Sequence, residues 1–265
     1  MTEDANIHRP LDPEGCRMLA DSLGDTPHTV IPVHLLKQGT CRAYVAGDPS
    51  RFDGAIVQAQ LWPGEPDPEP AGFGSDPQIL WQLLQAVQGW DCVLVDSGVA
   101  PVLGATIQRE MGLPVRYLDD VCFTLTRPVK RFLDRAVRLL TLDDLALLES
   151  APHKLRASCW DSTRSLLSQG VIACAIVSGR IVATALVAAR TERHAEVGVY
   201  THPDSRRCGY ATAAASLVAR RAQKAGQIPV WSAGDHNLPS LRIAHKLGFV
   251  AVSRKTYVIL DRGRE

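Results

Sequence analysis

The sequence predicts an α/β (α+β) protein built in two domains, on three observations. Helical and strand-like segments alternate from Ile79 to the C-terminal region, each closed by a glycine, a proline or an acidic turn. Two β-branched apolar runs, Val171–Val177 and Ile181–Ala189, are joined by Ser178-Gly179-Arg180, a β-hairpin signature. The length, 265 residues, suits two domains of ordinary size.

The elements follow in order. Residues 1–30 read as a polar arm with one helix around Glu14–Leu23. Residues Trp62 to Pro77, rich in proline and glycine, read as a long surface loop. Leu80, Leu83, Leu84 and Val87 recur at helical spacing, and Cys92-Val93-Leu94-Val95 is a buried strand. Ala100–Met111 is helical and stops at Gly112. Val115–Leu125 holds one or two strands, and residues 128–140 form the passage between halves. Thr141 caps a helix whose first turn carries Asp143 and Asp144. A short helix over Ser162–Ser168 precedes the hairpin. His194–Thr201 is the next strand, followed by a turn at Pro203-Asp204 and an alanine-rich helix, Ala211–Ala225, stopped by Gly226. Pro229–Ala233 is a strand, Leu238–Leu247 a helix, and Phe249–Leu260 one or two closing strands.

A faint repeat links the halves. The first ends in Met111-Gly112-Leu113, a strand and Cys122-Phe123-Thr124-Leu125; the second ends in Leu247-Gly248-Phe249, a strand and Tyr257-Val258-Ile259-Leu260. Two readings stay open: similarity between unrelated α/β segments, or two copies of one fold.

Composition narrows the function. Apolar residues make up 46% and charged residues 22%, with a net charge of +1, so nothing draws the chain to nucleic acid or an anionic membrane. No apolar run is long enough to span a bilayer, and the start Met1-Thr2-Glu3-Asp4 does not read as a secretory signal. The seven cysteines form no CxxC pair, and Cys92, Cys122, Cys159 and Cys174 lie in or beside apolar runs. They read as reduced, buried thiols of a cytoplasmic protein. The histidines show no zinc-ligand spacing, and no metal is expected.

The chemistry concentrates after Thr201. A strand ends, a turn follows and a helix starts near Gly209, so the N–H groups from Arg207 to Thr212 face outward without helical acceptors. Such groups, with the helix dipole behind them, suit a pyrophosphate. Gly209 and Ala211 let an anion approach, and Arg206 and Arg207 add positive charge. An ordinary strand-turn-helix connection is the plain alternative. Downstream stand Asn237, Ser240 and Lys246-Leu247-Gly248-Phe249.

Together, Arg206-Arg207-Cys208-Gly209-Tyr210-Ala211 and Asn237…Ser240…Lys246-Leu247-Gly248-Phe249 resemble the GNAT superfamily of acetyl-CoA-dependent N-acetyltransferases, over about 130–265. The closing run also resembles a bacterial subgroup that includes antibiotic-resistance acetyltransferases of the zwittermicin type. The resemblance implies two GNAT-like domains, each a mixed, mostly antiparallel sheet flanked by helices: a degenerate copy at 1–128, with Pro101 in place of Asn237, and a catalytic copy at 129–265. It implies acetyl-CoA as co-substrate. The pantetheine would lie along Val199-Tyr200-Thr201, the pyrophosphate on Arg206 to Thr212, and Asn237 and Ser240 would face it across the cleft. Asn237 also suits a helix N-cap, and the two roles coexist.

Acetylating an amine needs the neutral nitrogen, hence a base. Glu196 is the first candidate, on a strand where Glu196, Gly198 and Tyr200 share a face; a salt-bridged strand glutamate is the alternative. His194 is a weaker one. Many relatives carry a tyrosine where this chain has Ala244, so Ser240, Tyr200 or water would serve as acid, or none is needed. The expected acceptor is a small-molecule amine, with a homodimer open. A non-catalytic acyl-CoA sensor and a protein N-acetyltransferase are the alternatives.

Overall fold

The computed structural model describes residues 9–60 and 69–263. The chain divides into two compact units that are each discontinuous in sequence. The first takes the residues up to Gly24, Pro32–Val121 and those from Ser253; the second takes Asp25–Ile31 and Cys122–Val252.

In the first unit, α1 (Pro13–Leu23) and α2 (Val30–Gln38, within the unit from Pro32) precede the hairpin β1 (Cys41–Asp48) and β2 (Arg51–Ala59). Then come β3 (Ala71–Phe73), α3 (Pro77–Leu84), β4 (Cys92–Asp96), α4 (Ala100–Met111) and β5 (Val115–Thr124). The last strand, β11 (Val250–Leu260), enters this unit from Ser253 onward and pairs antiparallel with β4, Tyr257 opposite Leu94. The order is β1-β2-β3-β4-β11-β5. The period of two along β1 sorts its residues: Tyr44 and Ala46 join Leu80, Leu83, Leu103 and Ile107 of α3 and α4 on one face. Ala43 and Val45 join Leu19, Val33 and Leu36 of α1 and α2 on the other.

This unit departs from the sequence expectation in two places. The segment read as a loop from Trp62 to Pro77 contains β3, which pairs Ala55 with Phe73 and Ile56 with Gly72; residues 62–68 of that segment lie outside the described residues. Three residues with a central glycine give no apolar run to read. Glycine is needed there, because a Cβ on Gly72 would stand 2.9 Å from Val95 Cγ1. Residues 1–30 hold α1 where expected and also the start of α2; residues 1–8 are outside the described set.

In the second unit, β6 (Val137–Leu139) is followed by a capping box at Thr141–Asp144, α5 (Leu145–Glu149), α6 (Thr163–Gln169), β7 (Ile172–Val177), β8 (Arg180–Arg190), β9 (His194–Thr201), α7 (Tyr210–Lys224), β10 (Ile228–Gly234) and α8 (Leu238–Leu247). The order is β5-β10-β9-β8-β7-β6, with the end of β5 beside β10. Ser178 (φ 50°) and Gly179 (φ 76°) both take the positive φ that a tight hairpin turn demands. One sheet face carries Ile172, Cys174, Ile181 and Leu186 against Leu148, Trp160 and Leu166. The other is lined by Ala173, Ala175, Ala183 and Ala185, all fully buried, and α7 lies on it with its own alanines, so helix and sheet approach closely. Ser216 and Gln223 of α7 hold the passage before β6: Ser216 Oγ donates to Lys130 O at 2.8 Å, and Gln223 Nε2 donates to Arg127 O at 2.7 Å.

The two units share one order of parts. Each has an antiparallel run of three strands (β1-β2-β3; β7-β8-β9) and a helix (α3; α7) leading to a strand parallel to the third (β4; β10). A second helix follows (α4; α8).

Candidate functional site

In the second unit β9 and β10 begin as parallel partners and then part. Their ladder pairs His194 with Ile228, Ala195 with Pro229 and Glu196 with Val230, and ends there, while the strands run on to Thr201 and Gly234. On its other side β9 stays paired with β8 as far as Thr201, opposite Ala183. Backbone directions alternate along a strand. His202 N–H donates to Val182 O of β8, so even-numbered residues direct their backbone to β8 and odd-numbered ones to the β10 side. Past the fork, the Val197 carbonyl and the Val199 and Thr201 backbone therefore point into the gap. Tyr200 differs: its backbone faces Thr184, and its ring packs against the Leu148–Trp160–Leu166 cluster.

Beyond β9, a 3-10 turn at Pro203–Ser205 leads to Arg206 and the start of α7. Arg207 (φ 64°) and Gly209 (φ 85°) both have positive φ, which turns consecutive N–H groups toward one side. Gly209 is the N-cap and offers no side-chain acceptor. Ala213 N–H is the first to close on the helix, bonding Gly209 O at 3.1 Å. Among the described residues, the N–H groups from Arg207 to Thr212 donate to no protein acceptor. A Cβ on Gly209 would meet nothing within 4 Å, so glycine serves the backbone angle and the space before it is open. Arg206, Arg207 and Cys208 are exposed, while Tyr210 and Ala211 are half-buried and Thr212, in the first turn of α7, is buried.

The corresponding helix of the first unit is closed. Asp76 caps α3, accepting from Gln78 N–H at 2.8 Å and Ile79 N–H at 3.4 Å, and Pro77 has no N–H to offer. A carboxylate there occupies the place where an anion would bind.

Glu196 sits where β9 and β10 part. It is 6% exposed, and its Oε1 accepts from Ser232 N–H at 2.9 Å. Cys159 is close by; burial pushes its thiol up to about 12, and the Glu196 charge adds to the shift. On β8 a bulge at Ala188 lies opposite Glu196 and Val197, and bulges sharpen local twist. His194 is buried, with Nδ1 on Asp25.

Across the gap, Asn237 caps α8, its Oδ1 accepting from Ser240 N–H at 3.3 Å. Ser240 Oγ accepts from Trp231 Nε1 at 2.9 Å, which docks α8 on β10. Ala244 is fully buried and brings no hydroxyl. Ser232 and Asp25, the partner of His194, are the members of this neighbourhood that sequence reasoning did not single out; a serine within a strand and an aspartate between helices carry no spacing that marks them. Among the described residues, no group of three or more His, Cys, Asp or Glu side chains is arranged to hold a metal ion, and no helix is long and apolar enough to cross a membrane.

A chain with a parallel fork and bare helix start of this kind has known relatives. Residues 121–260 match the family model described as GNAT acetyltransferase. Among solved structures, a GCN5-related N-acetyltransferase-like protein from Streptococcus suis is similar at a TM-score of 0.66 and 22% identity, covering 93% of this chain and 98% of that one. A putative acetyltransferase of the GNAT family from Novosphingobium aromaticivorans is similar at 0.59 and 19%, covering 89% and 98%. A tandem GNAT protein from the clavulanic acid biosynthesis pathway is similar at 0.55 and 14%, covering 94% and 96%. No curated protein matches the sequence.

Proposed function

The chain belongs to the GNAT acetyltransferase family, and from that premise we propose that it transfers the acetyl group of acetyl-CoA to a primary amine of a small molecule. Acetyl transfer and acetyl-CoA come with the family; the acceptor class is our reading. The observation that carries it is the row of uncommitted N–H groups from Arg207 to Thr212, next to a strand edge with no partner.

These residues fit the cofactor. Open amides behind a positive helix end suit a diphosphate, and the exposed guanidinium groups of Arg206 and Arg207 add charge. The Val199 and Thr201 backbone suits an extended amide-bearing arm, which would add to β9 as a strand does. Asn237 and Ser240 face that arm from α8. When bound, acetyl-CoA supplies the acetyl group as a thioester. The chain must position the amine and take its proton, since an alkylammonium of pKa about 10 is no nucleophile at neutral pH. Tyr200, Ser240 and water are the groups proposed to handle protons, because the Glu196 carboxylate is engaged by Ser232 N–H.

The first unit is proposed as a degenerate copy of the same fold. Its matching order of strands and helices supports this, and Asp76 on its helix start accounts for a lost anion site. The near-neutral charge favours a small acceptor over a strongly charged macromolecule. The test is release of the CoA thiol from acetyl-CoA with a panel of small amines, peptide N-termini and lysine peptides. Turnover confined to small amines is expected. Tight acetyl-CoA binding without turnover on any acceptor would favour a sensor, and turnover on peptides alone would favour protein acetylation.

A further inference from the structure

We infer that Glu196 is a positioning residue whose carboxylate replaces one backbone rung between β9 and β10 and thereby holds the fork open. The inference rests on reading the fork as the acetyl-CoA site.

The ladder geometry leads to it. With Val230 opposite Glu196 in a parallel pair, the next rung would join Ser232 N–H to Val197 C=O. That N–H donates instead to Glu196 Oε1 at 2.9 Å. The rung is therefore made by a side chain, just where strand pairing stops. A backbone N–H takes an acceptor, from the protein or from water. Glu196 supplies one, so Ser232 need not close on Val197. The Val197 carbonyl and the Val199 and Thr201 backbone then stay directed at the gap. Glu196 is 6% exposed, which suits a fixed strut.

The strut and a general base make opposite demands on one substitution. Glutamine keeps an acceptor oxygen at the same reach, so a strut survives Glu196→Gln and fails in Glu196→Ala. A base fails in both, and the loss eases at alkaline pH, where the amine is neutral unaided.

The experiment measures acetyl-CoA Kd by calorimetry and kcat against pH for the full chain and both variants, with Gly209→Asp as control. For Glu196→Gln we expect Kd within about twofold of the parent and an unchanged pH profile. For Glu196→Ala we expect Kd weakened by about tenfold or more, as when a hydrogen bond to a charged group is lost. Unchanged Kd in both variants with kcat lost equally, and recovered at high pH, would overturn the strut. Crystal structures give a second readout. In Glu196→Gln, Ser232 N–H bonded to the side-chain amide oxygen supports the strut, as does Ser232 N–H on Val197 O in Glu196→Ala. A fork unchanged in the alanine variant, with that N–H on water, overturns it. Failure of the underlying reading looks different: Gly209→Asp would then bind acetyl-CoA as the parent does, whatever happens at Glu196.

Discussion

His194 and Asp25 meet at 2.6 Å, Nδ1 to Oδ1, at the paired end of β9. Asp25 also accepts from Thr191 Oγ1 at 2.6 Å and from Arg193 N–H at 2.8 Å. One carboxylate thus gathers three donors from the β8–β9 turn and the first residue of β9. Burial alone would raise its pKa, but these hydrogen bonds outweigh burial and hold it below the ordinary aspartate value. The turn is fixed two residues before Glu196, so the paired end of the fork is anchored while the other end is open.

The sign of the pH effect follows. A folded-state pKa below the unfolded one stabilises the fold above the ordinary carboxylate range, about pH 4, and the contribution fades as pH falls toward the folded value. Urea midpoints of the parent should drop between neutral pH and about pH 3 more steeply than those of Asp25→Asn. At neutral pH, Asp25→Ala should cost about 1–3 kcal/mol by leaving its donors unmatched.

Gly209→Asp should abolish the thermal shift produced by acetyl-CoA, since it sets a negative group against the open amides of α7. Gly209→Ala should keep binding but lower stability by about 1 kcal/mol, the cost of a Cβ at φ 85°. An undiminished shift in the aspartate variant would put the phosphates elsewhere.

Calorimetry should find one acetyl-CoA per chain. Asp76 already fills the start of α3, so Asp76→Ala should lose about 1 kcal/mol of stability with the cap and leave acetyl-CoA affinity unchanged. Two equivalent sites per chain would contradict the closed-site reading.

Cys208 is the one exposed cysteine among the described residues, and it lies between Arg207 and Gly209. A thiol reagent should modify it first, and acetyl-CoA should slow that reaction about tenfold or more at saturating concentration. Peptide mapping identifies the labelled residue. Equal labelling with and without the cofactor would place the ligand away from this turn.

Ala244→Tyr should not restore a general acid. The Ala244 side chain is fully buried, so a phenol there overpacks the core and should cost about 1–3 kcal/mol or more with no gain in kcat. A rise in kcat would show that the ring finds a path into the cleft.

Much of the second unit was readable because its signals are local. Ser178-Gly179 needs only its own two angles, Gly248 stops a helix by positive φ as Gly112 does in the first unit, and Asn237 and Thr141 cap within three residues. The bare start of α7 follows from a glycine where a capping side chain would stand. What escaped depends on distant partners. The hairpin β1–β2 turns at Asp48-Pro49-Ser50, where Asp48 accepts from Ser50 N–H at 2.8 Å, yet the strand centres, Ala43–Ala46 and Gly54–Gln58, are buried on both faces and show no alternation. β3 exists because β2 and β4 lie either side of it. The Glu196–Ser232 bond joins residues from two strands whose parting no single segment encodes.

The place of β11 bears on how the chain is made. In the first unit this strand lies between β4 and β5, both translated long before it. Until Ser253–Leu260 leaves the ribosome, β4 has an open edge, and the nascent first unit waits with an interior strand missing. Exposed edges of that kind invite wrong pairing. Pausing or truncation ahead of Ser253 should therefore damage the earlier-made half of the protein more than the later one, the reverse of the usual N-terminal-first order of maturation.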